Sequence, residues 1–402
     1  MFYGTMSLPK NIAKQGGYLA LAHHNTIFAQ IMKLIPRHEF EALAKKHQHG
    51  NRLRKIDRWS QFLALAMAQL TGRHSLRDLV ANLNSQRRKL YHLGGRKVAR
   101  STLARVNEQQ TWVLYRSLFE KLLVRCQSVA PKHKFRFKNK LYSLDASVIN
   151  LCLNLFPWAR FHQGKGAIKL HVGLDHDGHI PAFVAVTPGN IHEIHPARFM
   201  ALPKGSIVVF DRGYNDYTWY QELTTQGIFF VTRLKTNARY RVVSTSKVST
   251  GQGVTADQII RFTGPKAKQC QGHLRRIAYH DAIHDRDYVF LTNHHNLSAK
   301  TIADIYKDRW QIEIFFKCIK QNLKIKSFLG TSSNAVLTQV WVAMCVYLVL
   351  AFMKYMAGLG LSISRILRLL QINLFERRDL MKLLKPDEGR LHQQNNAQLC
   401  LI

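Results

Sequence analysis

At Leu141 the sequence changes its folding grammar. Residues 18–125 contain few prolines and repeat apolar side chains at helical spacing, as in Phe62, Leu63, Leu65, Ala66 and Leu70. From Leu141 the pattern turns to short β-branched runs. Leu141–Leu153 reads as a strand with one Asp inside it, and Ala167–Leu174 and Ile180–Thr187 flank Asp175-His-Asp-Gly, a hairpin-turn signal. A short helix over Pro196–Leu202, a strand over Ser206–Phe210, a helix over Tyr217–Thr225 and a strand over Ile228–Leu234 follow.

Three strands in a hairpin row, then helix, strand, helix, strand, is the order of a ribonuclease-H-like mixed α/β sheet. The expected organisation is a helical N-terminal DNA-binding domain (1–130), a basic linker (131–140), a catalytic domain (141–330) and a helical C-terminal region (331–402). Within the third part, residues 235–297 read as a β-rich insertion with strands at Arg241–Ser244, Leu274–Tyr279 and Asp287–Leu291, ahead of a long helix beginning near Ser298.

Charge narrows the partners. The chain carries 59 Lys plus Arg against 24 Asp plus Glu, a net +35, and such self-repulsion is relieved by binding a polyanion. Residues 1–140 hold 27 of the cations and only 6 of the acids, so the field is concentrated where a DNA-docking module would sit. His92-Leu-Gly-Gly leads through Arg96, Lys97 and Arg100 into Ser101-Thr-Leu-Ala-Arg-Val-Asn, a loose helix, glycine turn and basic helix of the kind that enters a DNA groove. In the linker, Lys132, Lys134, Arg136, Lys138 and Lys140 alternate, as a solvated connector or a phosphate-tracking stretch would.

The six cysteines are scattered with no C-x-x-C pair, and the histidines, His171 and His192 included, show no zinc spacing, so structural roles are expected for them. A reducing, cytoplasmic and nucleoid-associated setting is expected, with no cleavable apolar leader and no membrane span. The longest apolar run, Val340 to Met353, is short for a bilayer and reads as a buried helix.

Three acids stand out. Asp145 lies within an otherwise apolar strand, where an uncompensated carboxylate is costly. Asp211 closes Ile-Val-Val-Phe and precedes Arg-Gly-Tyr, a strand end leading into a turn. Glu313 shares a helix edge with Tyr306, Arg309 and Lys320: at about 100° per residue the four fall on one narrow stripe, with Lys317 and Lys324 beside it. Taken alone, such a stripe fits a salt-bridged surface as well as a metal ligand flanked by phosphate clamps.

The spacing Tyr306-x2-Arg309-x3-Glu313-x6-Lys320 resembles the Y-R-E-K signature of the insertion sequence four family of bacterial transposases. Asp145-x-Ser147 and Asp211-Arg212-Gly213-Tyr214 resemble its first and second acidic motifs, and Phe230-Val-Thr-Arg-Leu-Lys235 is also similar to that family. The resemblance covers about residues 141–350. At Asn190-Ile-His192-Glu193 the chain departs from the family's His-Asp, and Glu193 is assigned no ligand role.

The resemblance implies a DNA transposase in which Asp145, Asp211 and Glu313 hold two Mg²⁺ ions, with Mn²⁺ able to substitute, and cut, hairpin and rejoin double-stranded DNA at terminal inverted repeats within a synaptic homodimer. Arg309 and Lys320 are then phosphate clamps and Tyr306 a phosphate hydrogen-bond donor, with Arg212, Arg233, Lys165 and Lys169 as further DNA contacts. Trp310 is either a platform for a flipped base or a core aromatic. A metal-dependent nuclease that joins no ends, a non-catalytic DNA-binding protein and a ribosomal or nucleoid component are the alternatives; the last explains the charge but not the acids.

Overall fold

The computed structural model describes residues 25–48, 53–162, 165–248, 252–323, 325 and 327–385. Ten strands form one mixed sheet: β1 (Leu141–Leu151), β2 (Arg160–His162), β3 (Lys165–Asp175), β4 (Ile180–Pro188), β5 (Ile207–Val209), β6 (Phe229–Arg233), β7 (Tyr240–Thr245), β8 (Val254–Phe262), β9 (Leu274–Asp281) and β10 (Arg286–Thr292). They are ordered β2-β3-β1-β5-β6-β10-β9-β8-β7, with β4 also paired to β3. β1 is antiparallel to β3, β3 to β4, and β1, β5 and β6 run parallel. The hairpin row followed by two parallel strands is the expected ribonuclease-H-like core.

The β-rich insertion does not stand apart from that core. β10 pairs antiparallel with β6, so the insertion widens the same sheet. Its β8 was not foreseen, because Asp257 and Arg261 interrupt the apolar alternation. Asp257 is nevertheless tolerated inside, since the Arg275 guanidinium donates to both its oxygens at 2.8 and 2.6 Å. β2 was also missed, being only three residues long. The expected Pro196–Leu202 helix is shorter and earlier, at Ile194–Arg198.

Helices occupy the rest, and their ends follow capping chemistry. Asp57 accepts the Ser60 N–H at 2.7 Å to open Arg58–Thr71, and Gly72 closes that helix at φ +66°. In the candidate groove-reading segment the last helix is Arg100–Gln109, preceded by the Gly94 turn at φ +69°. The helices between Ile27 and Val129 share one apolar core with Ser333–Met356 and the helices after it. Asn334 stitches the two parts, donating to the carbonyls of Asn107 (2.8 Å) and Gln110 (2.7 Å). Ser333–Met356 is the one described helix long and apolar enough to cross a membrane, yet 89% of its apolar window is buried inside the protein. The Val340–Met353 run is thus a core segment, as its sequence suggests.

The helix starting near Ser298 is not continuous. Ser298 caps Ala299–Asp308, a turn falls at Arg309, Trp310–Lys317 resumes, and Cys318–Asn322 winds as a π-helical turn. The uniform 100° spacing assumed for the stripe therefore does not hold along its length. Lys324 lies outside the described residues.

Candidate active site

Sheet register brings the first two acids together. In the parallel β1–β5 pair, Ser143 is aligned with Val209. Asp145 and Asp211 each lie two residues beyond that pair, so both arrive at the same end of neighbouring strands. Asp145 accepts the Ala146 N–H at 2.8 Å, and Asp211 accepts the Gly213 N–H at 2.7 Å, which curls the chain into the Arg212–Tyr214 turn.

Glu313 comes from Trp310–Lys317, which packs on β1. Arg309 joins it to the strands: Nη2 donates to Glu313 at 2.7 Å while Nη1 stands 3.5 Å from Asp145. One guanidinium thus spans an acid on the sheet and an acid on the helix. Its ring-side contact is Tyr306, 5.9 Å from the Arg309 carbon to the ring centre, and Tyr306 packs against Phe290 at 5.0 Å.

A fourth carboxylate is present that sequence reasoning set aside. A Cβ placed on Gly213 would lie 3.0 Å from Asp211 Oδ1 and 3.2 Å from Glu193 Oε2. Glu193 therefore faces Asp211 across a space that only glycine leaves open. Beside it the Ile191 carbonyl accepts from Lys169 at 3.0 Å, and Lys169 also sits 3.6 Å from Glu193.

The electrostatics report the crowding. Burial pushes the Asp145 carboxyl up to about 6, with Asp211 and Glu193 adding to the rise and Arg309 opposing it. Burial raises the Tyr214 hydroxyl far above its usual value, and the negative charges of Glu193, Asp145 and Asp211 add to that. A buried carboxyl raised by neighbouring acids is the state expected where a cation is wanted.

The remaining candidates are dispersed. Arg212, Arg233 and Arg309 each bury an Nε without a hydrogen-bond partner, and Arg233 lies 4.9 Å over the Tyr288 ring. Lys320 reaches the Val148 carbonyl on β1 at 2.9 Å. Lys165 is exposed at the start of β3, whereas Lys169 is turned inward, its side chain only 12% exposed. Trp310 is 59% exposed, which removes the core reading of its ring. His171 is bonded to the Thr187 hydroxyl at 2.9 Å, and His192 accepts from the Ile194 N–H at 3.3 Å.

With that geometry in place, residues 136–349 match the family model described as "Transposase DDE domain". The chain belongs to this family. Residues 23–96 match a domain model of unknown function. A Sinorhizobium fredii protein named as a transposase is 35% identical over 236 residues, 58% of this chain and 66% of its own length. The chain thus spans a little under two thirds of that relative. A Geobacillus stearothermophilus protein named as probable transposase for insertion sequence element IS5377 is 28% identical over 63% of this chain and 67% of its own. A Synechocystis protein named for insertion sequence element IS4SA is 23% identical over 79% of this chain and 87% of its own. A cryo-EM structure of the piggyBac transposase synaptic complex with hairpin DNA aligns with 92% of this chain and 83% of its own at TM-score 0.41 and 12% identity. The resemblance to insertion sequence transposases carried by Tyr306, Arg309, Glu313 and Lys320 therefore stands at the level of the family.

Proposed function

We propose that this DDE-family chain is an insertion sequence transposase that cleaves double-stranded DNA at the element's terminal inverted repeats and joins the freed ends to target DNA. The observation that carries the reading is the Arg309 bridge: acids from β1 and from Trp310–Lys317 meet on one guanidinium, beside the Asp211 end of β5.

The donor set fits a pair of hard divalent cations. Asp145, Asp211 and Glu313 offer oxygen ligands only, and Mg²⁺ prefers such ligands. Bound there, Mg²⁺ or Mn²⁺ supplies Lewis acidity for phosphodiester displacement. The protein's share is orientation. Arg309 is held between two acids at rest, and the guanidinium forks of Arg309, Arg212 and Arg233 are of the kind that pairs with phosphate oxygens. Tyr306 adds a hydroxyl beside them, Lys320 approaches from the Cys318–Asn322 turn, and the exposed Lys165 extends the basic edge while Lys169 lies inward beside Glu193. Trp310 stacks on a base displaced during hairpin formation, a role its exposed ring supports. The helical N-terminal part, with its surplus of cations, reads the ends, and two copies pair them in a synaptic homodimer.

The test is an assay on a linear duplex carrying both flanking ends of the element, with a supercoiled plasmid as target and Mg²⁺ as the metal. Nicking, hairpin and joined products are expected in sequence. Hydrolysis without any joined product would replace the transposase reading with that of a nuclease.

A further inference from the structure

A second group of candidate ligands joins the β3–β4 turn to Asp308, the residue before Arg309. His176 and His179, three residues apart in Asp175-His-Asp-Gly-His, face Asp308, the last residue of the Ala299–Asp308 helix. One ligand atom from each lies within 4.8 Å of the other two. His176 Nδ1 is 2.9 Å from Asp308, and its Nε2 is 2.6 Å from the Ser143 hydroxyl.

We propose that His176, His179 and Asp308 form a transition-metal site, suited to Zn²⁺, that fastens the β3–β4 turn to the helix leading into Arg309 and Glu313. Two imidazoles and one carboxylate are the donor set that Zn²⁺ takes in three-ligand sites, and they differ in kind from the all-oxygen set around Asp145.

Three further observations agree. The Ser143 hydroxyl is where the other ring nitrogen of a metal-bound His176 needs an acceptor, the outer contact that fixes a ligating imidazole's tautomer. His179 also sits at φ +52°, a conformation that costs a non-glycine residue energy. A cavity of about 540 Å³, lined by these residues with Lys134, Lys354 and Tyr355, gives access from solvent.

Two cations face the site. Lys134 donates to Asp308 at 2.6 Å, and its side chain is 67% exposed, so it can swing out as the ion enters. Lys354 lines the cavity, where burial lowers its pKa and so eases loss of its charge. Asp175 and Asp177 in the same turn are paired with Lys140.

The full chain, stripped with chelator and held in excess Mg²⁺, would be titrated with Zn²⁺ by calorimetry and with Co²⁺ by visible absorption. One Zn²⁺ equivalent and a Co²⁺ ligand-field band are expected. Both should persist in Asp145→Asn. They should weaken by about 100-fold or more in Asp308→Asn and in His179→Asn, whose asparagine accepts the left-handed backbone. A Zn²⁺-dependent rise in Tm should follow the same pattern. Binding that survives both ligand changes, vanishes with Asp145→Asn, or is undetected in the folded wild-type chain overturns the proposal.

Discussion

Arg309 lies 3.5 Å from Asp145 across 164 positions of sequence, and yet the Asp145 carboxyl is raised rather than lowered. Burial and two neighbouring acids outweigh one guanidinium that is shared with Glu313. The arrangement is a site with a deficit of positive charge, at the centre of a chain with a large surplus of it.

That deficit gives a pH prediction. A carboxyl whose folded pKa is raised favours folding while protonated; the benefit is whole below the usual 3.8 and is lost as pH rises through about 6. Metal-free protein should therefore lose stability between pH 4 and 7, by about 3 kcal/mol at most from this group. Asp145→Asn should flatten that slope, raising Tm at pH 8 and leaving it near wild type at pH 4. Equal slopes in both proteins, measured by denaturant titration, would remove Asp145 from the account.

Cleavage should show the same group from the other side. Ligation requires the ionised carboxylate, so Mg²⁺-dependent nicking should rise with pH through the region near 6 and move lower at higher Mg²⁺, because the ion competes with the proton. Asp145→Asn, Asp211→Asn and Glu313→Gln should each reduce nicking by more than about 100-fold while retaining duplex binding in a gel-shift assay. Near-normal nicking by any one of them would strike that residue from the site.

Much of this was legible in sequence, for identifiable reasons. Asp145 and Asp211 were visible because each carboxylate breaks or ends an apolar strand, and strand alternation is a short-range signal. Glu313 was visible through its neighbours, although the turn at Arg309 and the π-helical turn at Cys318 meant that ideal helix angles described its surroundings only approximately. Glu193 was not legible: its approach to Asp211 depends on how the chain after β4 folds over Gly213, a tertiary fact. β8 was hidden because Asp257 looks exposed until Arg275, on the next strand, is known to face it. His176 and His179 made no zinc spacing legible in sequence, because their third partner, Asp308, lies 129 residues on from His179.

Arg309 itself should prove structural as well as functional. Removing it leaves Asp145 and Glu313 facing each other without a cation, so Arg309→Ala should cost about 1–3 kcal/mol in metal-free protein, discounted for partial exposure. Adding Mg²⁺ should restore part of the lost Tm, more than it adds to wild type. Arg309→Lys, with one ammonium in place of a fork, should recover charge but not the double contact and fall between the two. A loss of stability that Mg²⁺ does not touch would mean that the guanidinium was packing the helix turn rather than balancing the acids.

Trp310 separates two roles by exposure. A side chain 59% exposed contributes little to the core, so Trp310→Ala should change unfolding free energy by no more than about 0.5 kcal/mol. If the ring holds a base displaced as the hairpin closes, the first nick should proceed near the wild-type rate while hairpin product falls by roughly 10-fold or more, since stacking is worth about 1–3 kcal/mol per base. Trp310→Phe should recover part of the loss, and an abasic nucleotide at the displaced position should make wild type and Trp310→Ala alike. Equal losses at the nick and at the hairpin would instead assign Trp310 to general DNA binding, and no loss at either step would leave the exposed ring without a role in the reaction.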